Sequence, residues 1–137
     1  MKKFFVLLLT MILLTSCQST PVTGETVTTD GGPYKQISSD NLNTMLEDKD
    51  KDFLLINVHL PLAGNIPETD LSIPYDQIEQ NLSQLPSDQN AKLVLYCRSG
   101  RMSQIAAEKL VSLGYTNVWD LKGGMVAWEQ AGFDLEK

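Results

Sequence analysis

The chain has 137 residues, which is enough for one domain of ordinary size. Its composition is 42% apolar and 20% charged, which excludes a chain that is disordered throughout. The formal net charge is -6, and an acidic surface repels phosphate backbones, so nucleic-acid binding is not expected. The chain has 1 histidine, and its 2 cysteines lie far apart in the sequence, so no metal site and no cofactor are predicted.

The amino-terminal segment is basic at its start and then apolar. Residues 1–3 (MKK) are a short basic start, and the apolar run over residues 4–14 is shorter than the ~20 residues that span a membrane. The segment LTSC that ends at Cys17 resembles the lipobox of a bacterial lipoprotein signal peptide, in which the cysteine receives the lipid. We therefore expect residues 1–16 to be a signal peptide and Cys17 to be a lipid anchor at the cell envelope, facing the periplasm or the cell exterior. The alternatives are an ordinary signal peptide with an incidental cysteine and an uncleaved anchor.

A polar segment follows the lipobox. Residues 18–33 are rich in Thr, Ser, Gly and Pro and show no helical apolar period, which predicts a flexible tether. The predicted organisation is therefore a signal peptide over 1–16, a lipidated cysteine with its tether over 17–33, and one folded domain over 34–137.

Within the folded domain, apolar strands alternate with helical stretches. The predicted elements are, in chain order, a short edge strand over 35–37, a helix from Ser38 or Ser39 to Glu47, a buried strand over 53–58, a very short strand at Ile73, a short helix over 75–82, a buried strand over 93–96, a helix over 103–113, a strand over 117–121 and a helix over 125–131. This alternation predicts the α/β class, with a small parallel sheet flanked by helices on both faces. The functional site of such a sheet lies beyond the carboxyl ends of its strands, and Tyr96 ends the second buried strand.

A cysteine loop, CRSGRMS over residues 97–103, follows that strand and leads directly into a helix. A cysteine attacks as its thiolate, which helix N-termini and nearby cations favour, and Arg98 and Arg101 bracket Cys97. Gly100 allows a tight turn in which successive N–H groups converge as an anion-binding nest. We therefore predict Cys97 as the catalytic nucleophile and the rest of the loop as a substrate-binding cradle, formed by Arg98, Ser99, Gly100, Arg101, Met102 and Ser103. The alternative is a buried structural cysteine at a strand end.

The segment over residues 93–131 combines three features. These are the strand–cysteine–loop–helix unit, Gly114-Tyr115 with Asn117-Val118 after it, and Gly123-Gly124 with Trp128 beyond it. With these features the segment resembles the carboxyl half of a rhodanese domain. The resemblance implies a rhodanese-like fold and a Cys97 that cycles between thiolate and persulfide. Trp128 is expected to pack in the core and Gly123-Gly124 to form a tight turn, both without a catalytic role.

The amino half matches the family less well. Rhodanese domains usually carry Asp-Val-Arg at the end of the second strand, whereas this strand ends Asn57-Val58-His59. The helical stretch that follows shrinks to residues 60–63, and the usual Gly-His-Ile-Pro-Gly-Ala segment reads GNIPETD over 64–70. These departures leave the roles of Asn57, His59 and Asp70 open, and His59 is either a wall of the pocket or a surface loop residue.

The function that the resemblance implies is sulfur transfer of the thiosulfate:cyanide type. Cys97 would take a sulfane sulfur from a small anionic donor such as thiosulfate and pass it to a thiophilic acceptor, which is cyanide in assays or a thiol in the cell. A phosphatase is disfavoured, because position 103 is serine rather than the arginine that clasps phosphate. The remaining alternative is a rhodanese module without turnover that binds a protein, or that carries or senses sulfur at the envelope. The chain is expected to be a monomer.

Overall fold

The structure is a computed structural model that describes residues 20–137. These residues contain six β-strands: β1 (Glu25–Thr29), β2 (Gly32–Ile37), β3 (Phe53–Asn57), β4 (Leu71–Ser72), β5 (Lys92–Tyr96) and β6 (Val118–Leu121). They also contain three α-helices, α1 (Ser39–Glu47), α2 (Arg101–Ser112) and α3 (Gly124–Gln130), and a 3₁₀ helix over Glu79–Gln84. The predicted order of strands and helices from residue 35 onward is confirmed, although the very short strand and the short helix after it are displaced along the chain.

One sheet contains all the described strands, in the order β1-β2-β6-β5-β3-β4. Every neighbouring pair is parallel except β1 and β2, which are antiparallel. The central strands β3 and β5 pair from Phe53 opposite Lys92 to Asn57 opposite Tyr96. Their nearly continuous apolar runs suit a position in which both faces of the sheet are covered. The predicted α/β class with a mostly parallel sheet is thus confirmed.

Helices cover both faces of this sheet, as predicted. On one face α2 and the 3₁₀ segment bury a core that includes Leu95, Leu110 and Val118. On the other face α1 and α3 bury a second core that includes Leu42 and Trp128. Each fully buried large apolar side chain contributes roughly 1.5–3 kcal/mol, so the two cores fix the sheet between the helices.

The tether predicted over residues 17–33 is wrong for its carboxyl half, because β1 and β2 form a hairpin there. Val27 of β1 pairs with the buried Tyr34 of β2, and both pack against the core on the α2 side. The physical reason lies in the run of β-branched residues before the Asp30-Gly31 turn, which favours a strand, and in the apolar Tyr34 and Ile37 after the turn. The predicted edge strand over 35–37 is therefore an interior strand, since β1 occupies the edge.

The residues before β1 reach the amino ends of the parallel strands. Val22 packs against the core on the side of α1 and α3, and Thr20 lines a surface groove together with Asp52 and Lys92. Asp52 and Lys92 stand at the amino ends of β3 and β5. The predicted signal peptide and lipidated Cys17 lie outside the described residues. Across residues 20–137, no helix is long and apolar enough to cross a membrane.

Candidate active site

Cys97 follows β5 directly and lies at the carboxyl end of the sheet, where the sequence predicts the site. It is a free thiol with 1% of its surface exposed. The backbone N–H of Gly100 donates a hydrogen bond to Sγ at 3.0 Å. The thiol in turn donates to the hydroxyl of Ser103 at 3.5 Å. The loop therefore folds back on the sulfur and places two polar groups against it.

The start of α2 supplies further N–H groups to this loop. Gly100 precedes the helix with a φ of 105°, a left-handed conformation that favours glycine. The N–H groups in the first turn of a helix have no acceptor within the helix, and this turn is formed by Arg101, Met102 and Ser103. The positive end of the helix dipole thus lies beside Cys97, as the predicted cradle requires.

Helix α3 holds the cysteine loop from the opposite side, a contact that the sequence analysis missed. The N–H groups of Met125 and Val126 donate to the carbonyl oxygens of Cys97 and Arg98, each at 2.9 Å. Gly124 makes this approach possible: a Cβ at that position would lie 2.3 Å from the carbonyl oxygen of Cys97. The predicted tight turn at Gly123-Gly124 is confirmed, and its role is to seat α3 against the loop.

The two loop arginines are exposed. The ion pairs found among residues 20–137 all involve lysines, so neither Arg98 nor Arg101 is neutralised by a described carboxylate. Their guanidinium groups therefore remain available to an anion that approaches the loop.

His59 lies close enough to Arg98 to be influenced by its charge. Burial, and then the positive charge of Arg98, lower the pKa of His59 below its usual 6.5. The imidazole is therefore neutral at pH 7 and adds no third positive charge to the site. Within the described part of the chain, its buried Nδ1 has no hydrogen-bond partner. A role for His59 as a wall of the pocket stays a prediction.

Asn57 organises the altered loop of the amino half. Its Nδ2 donates to the carbonyl of Gly64 and to Oδ1 of Asn65, both at 2.9 Å, and its Oδ1 accepts from the N–H of His59 at 3.0 Å. The hydroxyl of Tyr96 secures the next residues by accepting from the N–H of Ile66 at 3.0 Å. One weak signal in the sequence indicates this role, namely a polar residue at the end of a buried strand.

Asp70 has a structural role away from the cysteine loop. Its Oδ2 accepts from the N–H of Leu55 at 2.7 Å and forms an ion pair with Lys51 at 2.7 Å. It therefore fastens the chain between β3 and β4. Trp128 is 3% exposed and packs in the core, as predicted, where its Nε1 donates to the carbonyl of Asp134.

Comparison with known proteins agrees with this arrangement. The family described as "Rhodanese-like domain" matches residues 34–131. A protein named "Sulfurtransferase" from Allochromatium vinosum is 35% identical over 103 residues, which are 73% of this chain and 92% of that protein. A rhodanese-like domain protein from Staphylococcus aureus superposes with a TM-score of 0.62 at 28% identity, over 75% of this chain and 99% of that one. A rhodanese-related protein from Thermoplasma volcanium gives a TM-score of 0.63 at 26% identity, over 74% and 97% of the two chains.

Proposed function

Because the chain belongs to the rhodanese-like family, we propose that it is a sulfurtransferase in which Cys97 carries the transferred sulfur. The observation that carries the proposal is the position of Sγ, which accepts the Gly100 N–H at 3.0 Å beside the first turn of α2. These groups stabilise negative charge on sulfur, both in the thiolate and in the persulfide. The relative from A. vinosum, whose name is "Sulfurtransferase", supports the same chemistry.

The reaction has two steps. In the first, the Cys97 thiolate attacks the outer sulfur of thiosulfate, a bond forms between Sγ and that sulfur, and sulfite leaves with the electron pair of the donor's S–S bond. In the second, cyanide or an acceptor thiolate attacks the outer sulfur of the persulfide and releases the Cys97 thiolate. A covalent intermediate between two half-reactions gives ping-pong kinetics.

A small anionic donor fits the charges around the loop. The whole chain is acidic, with a net charge of -6, and repels anions. Arg98 and Arg101 are exposed beside Cys97 and reverse that field locally. Their position supports thiosulfate or a donor of similar charge.

Mass spectrometry of the full-length chain tests the proposal. After thiosulfate treatment the peptide that contains Cys97 should gain the mass of one sulfur atom, and cyanide should remove it. The Cys97→Ser variant should keep the fold and gain nothing, because a hydroxyl at this position forms no persulfide. A Cys97→Ser variant that still transfers sulfur would refute the assignment. A folded wild type with a free thiol and no sulfur gain would instead favour a module without turnover.

We also propose that the chain is held at the cell envelope by a lipid on Cys17. Support comes from the basic start, the short apolar run and the LTSC segment that ends at Cys17. Growth with a labelled fatty acid should label the wild type and leave a Cys17→Ala variant unlabelled. An unlabelled wild type would exclude the anchor.

A further inference from the structure

Asp120 is a buried carboxyl group that the sulfur cycle described above does not use. It lies on β6 opposite Leu95 of β5, and its side chain is 0% exposed. Gln36 donates from Nε2 to Oδ2 of Asp120 at 3.0 Å, whereas Oδ1 has no hydrogen-bond partner among residues 20–137. An unsatisfied buried carboxylate oxygen is unfavourable, so this arrangement calls for an explanation.

Ser103 lies between this carboxyl group and the sulfur. Its buried hydroxyl accepts the hydrogen bond of the Cys97 thiol at 3.5 Å and donates to the carbonyl of Gly100 at 3.1 Å. The same hydroxyl is near enough to Asp120 to influence its ionisation. A hydroxyl proton rotates between acceptors, so it can turn from Gly100 to Oδ1 of Asp120. That rotation would complete a path for a proton from Sγ to the carboxylate.

The surroundings make Asp120 ready to accept that proton. Burial raises the pKa of the Asp120 carboxyl group to about 6, and the neighbouring Ser103 and Gln36 only partly oppose the rise. Among residues 20–137, the charge of Asp120 acts on Tyr34 of β2, and so does the charge of Glu108 of α2. Burial, followed by the charges of Asp120 and Glu108, raises the pKa of Tyr34. Tyr34 therefore stays neutral at the pH values at which Asp120 titrates.

We propose that Asp120 is a positioning residue that holds the proton of Cys97 while the sulfur is anionic, with the Ser103 hydroxyl as the link. The thiol proton passes to Oγ of Ser103 as the hydroxyl's own proton passes to Oδ1 of Asp120. The pair thus keeps one negative charge, which moves from the carboxylate to the sulfur, and the reverse transfers restore the thiol. This inference deepens the proposed function. It rests on that function, because sulfur transfer is what requires an anionic sulfur at Cys97.

A shared proton has a signature in the pH dependence of thiol reactivity. Between the loss of its first proton and the loss of its second, the pair holds one proton at constant charge, and the thiolate share of that state does not change with pH. An independent thiol, below its own titration, instead gains thiolate about tenfold for each pH unit. The two behaviours separate most clearly just above the pH at which Asp120 titrates.

The experiment measures alkylation of Cys97 in the full-length chain by iodoacetamide, a neutral reagent, at several pH values. Mass spectrometry of the Cys97 peptide separates it from Cys17. Between about pH 6.5 and about pH 7.5 the rate should change less than about twofold in the wild type and about tenfold in Asp120→Asn. Asp70→Asn, which removes a carboxylate far from the loop, is the matched control and should behave as the wild type.

A tenfold rise in the wild type would overturn the proposal by itself, even where Asp120→Asn fails to fold. A flat profile in a folded Asp120→Asn protein would overturn it as well. Alkylation needs neither a sulfur donor nor an acceptor, so a chain that takes no sulfur from thiosulfate can still show the shared proton. Failure of the inference and failure of the proposed function are therefore distinguishable.

Discussion

Gly100 shows how one residue serves both the loop and the helix behind it. Its φ of 105° would strain any side chain, and its N–H donates to the sulfur of Cys97 at 3.0 Å. Ser103, in the first turn of α2, contributes a hydroxyl at 3.5 Å from the same sulfur. At this scale the site depends on a backbone conformation at one position and on a buried hydroxyl at the other.

The cost of burying Asp120 predicts a pH-dependent gain in stability for Asp120→Asn. The folded state raises the pKa of this carboxyl from 3.8 to about 6, so the folded protein loses stability as the pH rises through this interval. The loss is absent below about pH 4 and complete above about pH 6, where it amounts to about 3 kcal/mol. Asparagine stays neutral at both pH values. At pH 8 the variant should therefore unfold at a higher denaturant concentration than the wild type, whereas at pH 4 it should show no such gain.

Urea unfolding at the two pH values checks this prediction. Asp70→Asn is again the control. The Asp70 carboxylate is ion-paired with Lys51, so the protein should lose stability when this charge is removed. An Asp120→Asn variant that is less stable than the wild type at pH 8 would show that the charge of Asp120 stabilises the fold. A further hydrogen-bond donor or positive charge would then have to compensate the buried carboxylate.

At the scale of elements, the contact between α3 and the cysteine loop predicts a severe effect of Gly124→Ala. The added methyl group would lie 2.3 Å from the Cys97 carbonyl oxygen, at a φ of 57°. We expect a loss of about 3 kcal/mol in the free energy of unfolding and a marked loss of persulfide formation, because α3 must withdraw from the loop.

Gly132→Ala is the matched control for Gly124→Ala. Gly132 also has a positive φ, 91°, but a Cβ there would meet nothing within 4 Å. It should therefore show the conformational cost alone, about 1 kcal/mol, with sulfur loading unchanged. Chemical denaturation measures the free energy of unfolding, and the mass of the Cys97 peptide measures sulfur loading. Equal effects of the two substitutions would contradict a specific contact between α3 and the loop.

The elements that the sequence predicts well are those with strong apolar periods. Strands β3, β5 and β6 and helices α1, α2 and α3 appear close to their predicted bounds, because burial on one stripe or on both faces leaves a clear pattern. The β1–β2 hairpin was hidden by a composition rich in Thr and Gly. The short elements between β3 and β5 were displaced, since neither β4 nor the 3₁₀ helix contains a fully buried residue and the apolar period is weak.

For the whole molecule, the hairpin shifts the start of the folded unit and yields a prediction about truncation. A chain that begins at Thr20 keeps Val22, the first residue in the described part of the chain that packs in a core. A chain that begins at Tyr34 loses Val22 and Val27 from the cores and exposes the edge of β2. Its midpoint should fall by about 10 °C, which corresponds to roughly 2–3 kcal/mol.

Thermal unfolding of these two chains tests the prediction. Equal midpoints for chains that begin at Tyr34 and at Thr20 would mean that β1 adds no stability.

The site itself was predictable only in part. The Cys97 loop was predictable because a cysteine, a glycine and two arginines stand between a buried strand and a helix. The network of Asn57 with residues 59–65 and the seat of α3 on the loop depend on contacts between distant segments. No local pattern in the sequence encodes such contacts, so the structure was needed to find them.

The burial of Cys97 also has a regiochemical consequence for the proposed cycle. A persulfide offers a nucleophile two sulfur atoms, about 2 Å apart. Attack on the inner atom would expel hydrosulfide and leave the acceptor bound to Cys97 as a mixed disulfide, whereas attack on the outer atom gives an acceptor persulfide and frees the enzyme. Cys97 is 1% exposed, with Gly100 and Ser103 against its sulfur, so an approaching thiol reaches the outer atom first. The fold thereby separates sulfur delivery from the release of hydrosulfide.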